Sequence, residues 1–364
     1  MAVDTVNGVE HIRNTGEPPR WELRELTTLG TGAEDGGAQE FGRISGVIAD
    51  LQHNIYVADQ QVHEIRVFNE QGQLVRRFGR DGEGPGEFRS LQSIGWVGDT
   101  LVVMDAGNAR IALLTSTGEW LGQRVFARIT GSVYLHQTGP AELYSIAFRR
   151  TTTSMDRVFV RQTHAGDVDS IPAPRSPTTR PSGVTCSYKA QGGDALTFFT
   201  PSFEPLSVQQ PAPERKLLSF STADYRLHYL VPPDTVRILE RDLSRIAVGD
   251  DEWAREQARF RSWYDSLPPD RKCQPAGPAR PEAKSLLRSV FFDDQNRTWV
   301  ERRQGDAYAF DVFDAGGRLL AQMNAPPRHT RVPVHVRGDR LYLVTTDSLD
   351  VQYVKAFQIL RIAQ

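Results

Sequence analysis

The residues of this 364-residue chain best suited to chemistry are eight histidines, two cysteines and a handful of charged residues near turns. The histidines stand at positions 11, 53, 63, 136, 164, 228, 329 and 335. No two have the H-x-H or H-E-x-x-H spacing that places imidazoles on one zinc ion. His136 alone falls on a strand expected to face a central tunnel. Calcium needs six or more oxygens, and Glu40, Glu87 and Glu204 are the carboxylates that could contribute. No cofactor is expected beyond that possible Ca2+. A nucleophile elbow, a P-loop and a dinucleotide fingerprint are all missing, because the glycine run at 79–86 leads into a strand and not into a helix.

Two aspartates look tempting as acid–base groups, Asp59 and Asp105. They lie 46 residues apart, and so do Gly72 and Gly118. Agreement of two independent markers points to an internal repeat, in which equivalent aspartates build turns. The clearest unit reads GRISGVIAD, NIYVAD, EIRVFNEQG and QLVRRFG from Gly42 onward. These are four short runs rich in Val, Ile, Phe and Tyr, separated by Asn, Asp and Gly. Five further units follow the same order.

The expected fold is therefore all-β, a six-bladed β-propeller with four-stranded blades. The blades span about 41–79, 90–126, 131–172, 203–241, 287–323 and 332–362. The sixth has only three runs, and Trp21–Leu29 (WELRELTTL) supplies the fourth. Ring closure by this N-terminal strand removes an open seam. Residues 1–20 read as a loop-like extension and 21–364 as one domain. The 242–286 insertion carries a short helix between blades four and five, capped by Asp250 or Asp251. Its apolar stripe is Trp253, Phe260, Tyr264 and Leu267. The helix is expected near the propeller mouth, packed on blades four and five.

Asn54-Ile-Tyr-Val-Ala-Asp59, Glu64-Ile-Arg-Val-Phe68, the run Phe78 to Phe88 and Asp105-Ala-Gly-Asn-Ala-Arg-Ile111 resemble the NHL repeat. The whole chain resembles uncharacterised, exported bacterial propeller proteins. The resemblance implies the fold and an extracytoplasmic place, whether periplasmic, secreted or lipid-anchored. It does not imply a reaction, since propellers host lyases, lactonases and binding modules. Gly82-Glu-Gly-Pro85 resembles the Glu-bearing segment of a lactonase-type propeller, but the run continues in the NHL pattern.

The chain carries 43 basic and 45 acidic residues, a balance that argues against a nucleic-acid binder. No apolar run approaches the ~20 residues of a membrane span. A monomer is expected. Cys186 and Cys273 lie in insertions that flank blade four on one face, so a disulfide between them is open, with two free thiols as the alternative.

Unequal long loops on the face where inner strands begin are where a rigid scaffold builds a site. The first residues of those strands include Glu40, Arg43, Glu87, Arg89, Glu204, Arg288 and Arg331. Of these, Arg43, Arg89, Glu204, Arg288 and Arg331 are the ligand-binding candidates. They could clamp a carboxylate or phosphate, or neutralise one another around a wet channel. The balanced signs favour the second. The function expected is recognition of a small molecule or a protein on this face. The alternative is a metal-dependent propeller hydrolase or lyase, lactonase- or esterase-like.

Overall fold

A computed structural model of the chain describes residues 1–30, 39–125, 134–150, 155–163, 169–174, 184–190, 193–268 and 277–362. It opens on a hairpin, β1 (Ala2–Val6) and β2 (Val9–Arg13), followed by β3 (Trp21–Leu29). Blade one is β4 (Ile44–Ala49), β5 (Ile55–Asp59), β6 (Glu64–Phe68) and β7 (Leu74–Phe78). Blade two is β8 (Leu91–Val97), β9 (Thr100–Asp105), β10 (Arg110–Leu114) and β11 (Trp120–Val125). Blade three is β12 (His136–Gly139), β13 (Glu142–Arg150), β14 (Met155–Gln162) and β15 (Asp169–Pro172).

A hairpin, β16 (Val184–Ala190) and β17 (Gly193–Phe199), stands between blades three and four. Blade four is β18 (Ser207–Ala212), β19 (Lys216–Ser221), β20 (Arg226–Val231) and β21 (Asp234–Glu240). Helix α1 (Asp250–Ser266) follows. Blade five is β22 (Leu287–Phe292), β23 (Thr298–Gln304), β24 (Ala307–Phe313) and β25 (Leu319–Ala325). Blade six is β26 (His335–Arg337), β27 (Arg340–Thr346), β28 (Gln352–Arg361) and β3.

The protein is thus an all-β six-bladed propeller, and β3 closes it. Its pairing with β28 is antiparallel, from Val354↔Leu29 to Arg361↔Trp21. Trp21 and Leu29, at its two ends, are both buried. Every interface between neighbouring blades holds its own apolar cluster. Leu29, Val47, Phe68 and Tyr342 join blades six and one, and Ile65, Phe88 and Trp96 join one and two. Val102 meets Leu143 across two and three, Phe159 meets Leu217 across three and four, Leu218 meets Phe313 across four and five, and Trp299 meets Leu341 across five and six. A chain of contacts without a gap is what distinguishes a closed ring from an open stack.

The repeated aspartates do what a turn residue does. Asp59 accepts the backbone N–H groups of Gly42, Arg43 and Gln61, and Asp105 those of Arg89 and Ser90. Each latches the segment entering its own blade to the end of that blade's second strand. The short outer hairpins turn on glycines with positive φ. At Gly118 (φ +91°) a Cβ would also meet the Phe78 ring of blade one at 2.5 Å.

One segment differs from expectation. Residues 1–13 are not a loop. They form a hairpin whose second strand pairs in parallel with β21, which extends blade four to six strands and buries Ile12 in the interface with blade five. The insertion that holds Cys186, between blades three and four, carries β16 and β17.

Helix α1 begins at Asp250 with Gly249, not an aspartate, as its N-cap. Gly249 N donates to Glu252 Oε2 at 2.9 Å, and Lys284 pairs with the same side chain at 2.6 Å. Of the expected stripe only Phe260 is buried. It stacks on Tyr264 and meets Phe199 of the β16–β17 hairpin edge-on, while Trp263 also packs on Phe199. Buried Glu256 accepts Ser202 N at 2.9 Å and Ser202 Oγ at 3.0 Å, with Arg259 alongside. The helix therefore docks on the neighbouring insertion.

Candidate functional site

The inner strands β4, β8, β12, β18, β22 and β26 surround a central channel with a cavity of about 230 Å³. All six blades contribute to its wall, which is mostly apolar: Val47, Ile94, Pro211, Val290 and Val334 represent five of them. A second cavity of about 390 Å³ opens where β4, β8 and β26 begin. Gln60 and Gln61 of the β5–β6 turn and Asp350 of the β27–β28 turn complete it, so it lies on the face that long loops were expected to occupy. Tyr134 and Arg331 line both cavities.

The structure separates the predicted arginines into two kinds. Arg89 pairs with Glu83 at 2.9 Å. Arg288 pairs with Glu301 at 3.1 Å and lies 3.4 Å over the Tyr308 ring. Arg43 and Arg331 are exposed, line the mouth cavity together, and make no ion pair within 4.0 Å among the described residues. The wall also bears Asp350 and His329. Burial and the neighbouring Arg331 charge lower the His329 pKa, which keeps that ring neutral. Two guanidiniums against one carboxylate leave the mouth net positive.

The carboxylates proposed for calcium are not brought together. Glu87 accepts Arg80 at 2.7 Å and Gly84 N at 2.8 Å, and serves its own turn. Those same two partners, Gly84 first, hold its pKa low. Glu40 is exposed, and its carbonyl accepts Arg66 Nη1. Glu204 is buried, with its carbonyl accepting Ser285 Oγ at 3.1 Å. None of the three lines either cavity. Among the described residues no group of three or more His, Cys, Asp or Glu side chains could hold a metal ion. Cys186 is fully buried and disulfide-bonded; Cys273 lies outside the described residues.

Sequence reasoning missed three features. His335 joins His136 on the channel wall, from the opposite blade, and His329 reaches the mouth, so His136 is not the only histidine placed there. Glu301 is fully buried behind the wall, where Arg328 (2.6 Å), Arg288 and Ser289 converge on it. Burial raises its pKa, but the Arg328 and Arg288 charges prevail and hold the carboxyl below its usual range. Tyr134 precedes β12 and carried no motif. Nothing in Arg297-Thr-Trp-Val-Glu-Arg302 sets Glu301 apart from the charged residues that flank it.

A family model described as a 6-bladed β-propeller matches residues 38–139. Three solved structures are similar along nearly the whole chain. One is an exported-protein candidate from Bacteroides fragilis, 11% identical, with a TM-score of 0.45, covering 96% of this chain and 99% of that one. Another, from Bacteroides vulgatus, is 10% identical with a TM-score of 0.45 and covers 95% and 100%. The third is virginiamycin B lyase from Staphylococcus aureus, 9% identical with a TM-score of 0.44, covering 93% and 99%. No curated protein matches the chain. Among the described residues no helix is long and apolar enough to cross a membrane.

The two channel imidazoles give a pH signature. Burial, reinforced by Arg157, takes His136 down to about 4, and burial with Arg337 takes His335 down to about 3. Below an unfolded-state pKa of about 6.5 the unfolded chain binds these protons and the folded chain does not. Stability is therefore intact above that pH and declines as pH falls toward 4, by up to about 1.4 kcal/mol per pH unit for each ring. Melting temperatures measured from pH 7.5 to 5 should fall, and the His136→Gln/His335→Gln protein should show a flatter profile. Parallel profiles for the two proteins would contradict this assignment.

Proposed function

We propose that this protein is an extracytoplasmic, NHL-type propeller that recognises a small anionic ligand at the channel mouth. The observation that carries this reading is that Arg43 and Arg331 line one cavity and make no ion pair among the described residues, whereas Arg89 and Arg288 each have a carboxylate partner. Arginine offers a planar fork of donors that fits carboxylate and phosphate bidentately. A guanidinium with no internal partner loses nothing by turning to a ligand. The hydrolase or lyase alternative lacks comparable support, because its glutamates lie apart.

Titration calorimetry with benzoate and inorganic phosphate tests the reading. Arg43→Ala and Arg331→Ala should each weaken anion binding about tenfold or more, since a hydrogen bond to a charged group is worth roughly 1.5–3 kcal/mol. Arg89→Ala should leave it unchanged. Equal losses in all three variants, or no binding by the parent protein, would sink the proposal.

The extracytoplasmic assignment is supported by the bonded state of Cys186, because disulfides persist in oxidising compartments. A Cys186–Cys273 bridge would tie the helix-bearing insertion to its neighbour. Intact mass after alkylation of unreduced, denatured protein should show no adduct. Two adducts would rule the bridge out.

A further inference from the structure

The mouth and the channel differ in chemistry but meet at shared residues. Tyr134 and Arg331 belong to the walls of both, so the polar mouth continues into the apolar channel. The channel cavity, about 230 Å³, exceeds the 150 Å³ or so that suffices for a benzene ring in an apolar site. Val47, Ile94, Val290 and Val334 make its wall apolar, and the His136 and His335 rings close it from behind, packed on Phe159 and Tyr342 with their Nε2 atoms out of solvent's reach.

We infer that the ligand is an amphipathic organic acid, with its carboxylate between Arg43 and Arg331 and an apolar body of about one aromatic ring inside the channel. This rests on the anion reading of the mouth and adds the part of the ligand that the mouth does not see. The carboxylate finds the net positive wall. The ring replaces water against Val47, Ile94, Val290 and Val334.

The probe is 3-phenylpropionate, titrated into the full chain beside two part-ligands. Acetate keeps the head alone, and 3-phenylpropan-1-ol keeps the body without the charge. The probe should bind at least about tenfold tighter than either. Arg331→Ala should remove the preference over the alcohol. Ile94→Phe and Val334→Phe, two independent ways to fill the channel, should remove the preference over acetate while acetate still binds. Circular dichroism identifies which variants are folded, and the folded ones carry the test.

Equal affinities for acetate and the probe, or indifference to both channel substitutions, would overturn the inference and leave the mouth reading standing. Failure of every acid to bind would overturn the inference together with the reading beneath it.

Discussion

Deleting residues 1–30 is expected to abolish the cooperative melt of the protein or to lower it by more than about 10 °C. The deletion removes the outer strand of blade six, whose register with β28 runs from Leu29 to Trp21. It also removes Trp21, which packs with Phe357 and Ile359 and lies beneath the Arg361 and Arg297 guanidiniums. Burying each large apolar side chain contributes roughly 1.5–3 kcal/mol, against a total stability of about 5–15 kcal/mol. Loss of β3 further exposes the edge of β28, a template for aggregation. Deleting only residues 1–13 removes the hairpin on blade four and leaves the ring closed, so its melt should fall less. A 1–30 deletion that melts like the full chain would mean that the ring does not need this strand.

The second large effect is expected at Asp105. Its side chain is fully buried, accepts Arg89 N and Ser90 N, and pairs with Arg110 at 3.2 Å and Asn108 at 2.7 Å. Arg110 is itself buried, its other donors spent on the carbonyls of Glu83, Gly84 and Glu87. Asp105→Ala leaves a buried cation uncompensated and two backbone donors without acceptors. Removing one member of a buried pair costs about 3–5 kcal/mol. Urea unfolding should show a loss of that size with an unchanged slope. Arg110→Ala, which strands the carboxylate in turn, should be similarly damaging. A change below about 1 kcal/mol for both would refute the latch.

Much of the fold was legible because turn chemistry and strand alternation are local. Asp59, Asp105, Gly72 and Gly118 repeat at fixed spacing since each blade must be entered and turned in the same way. The closing strand was legible for another reason: an incomplete last unit demands a partner. What escaped was non-local. Residues 1–13 carry Asn7-Gly8, a hairpin signal, but nothing in them names β21 as the neighbour. The helix stripe was read with the right period, yet its partner is Phe199, in an insertion some 60 residues earlier. At the site, the rule that the first residues of inner strands ring the mouth names Arg43, Arg288 and Arg331 alike. It could not distinguish Arg288, which turns back to Glu301, from Arg43, which faces the cavity. That difference lies in side-chain direction and pairing across strands. His335 stands in Val332-Pro-Val-His-Val-Arg337, whose alternation marks a strand but does not say which of its side chains border the channel.

The central claim is that the channel mouth receives an anion whose body enters the ring. Anomalous diffraction from crystals grown with 3-(4-bromophenyl)propionate tests it most directly. Carboxylate density is expected between Arg43 and Arg331 and a bromine peak within the channel, both absent from crystals of the Arg43→Ala/Arg331→Ala protein. Bromine found only outside the channel and mouth, or density unchanged by the double substitution, would contradict it.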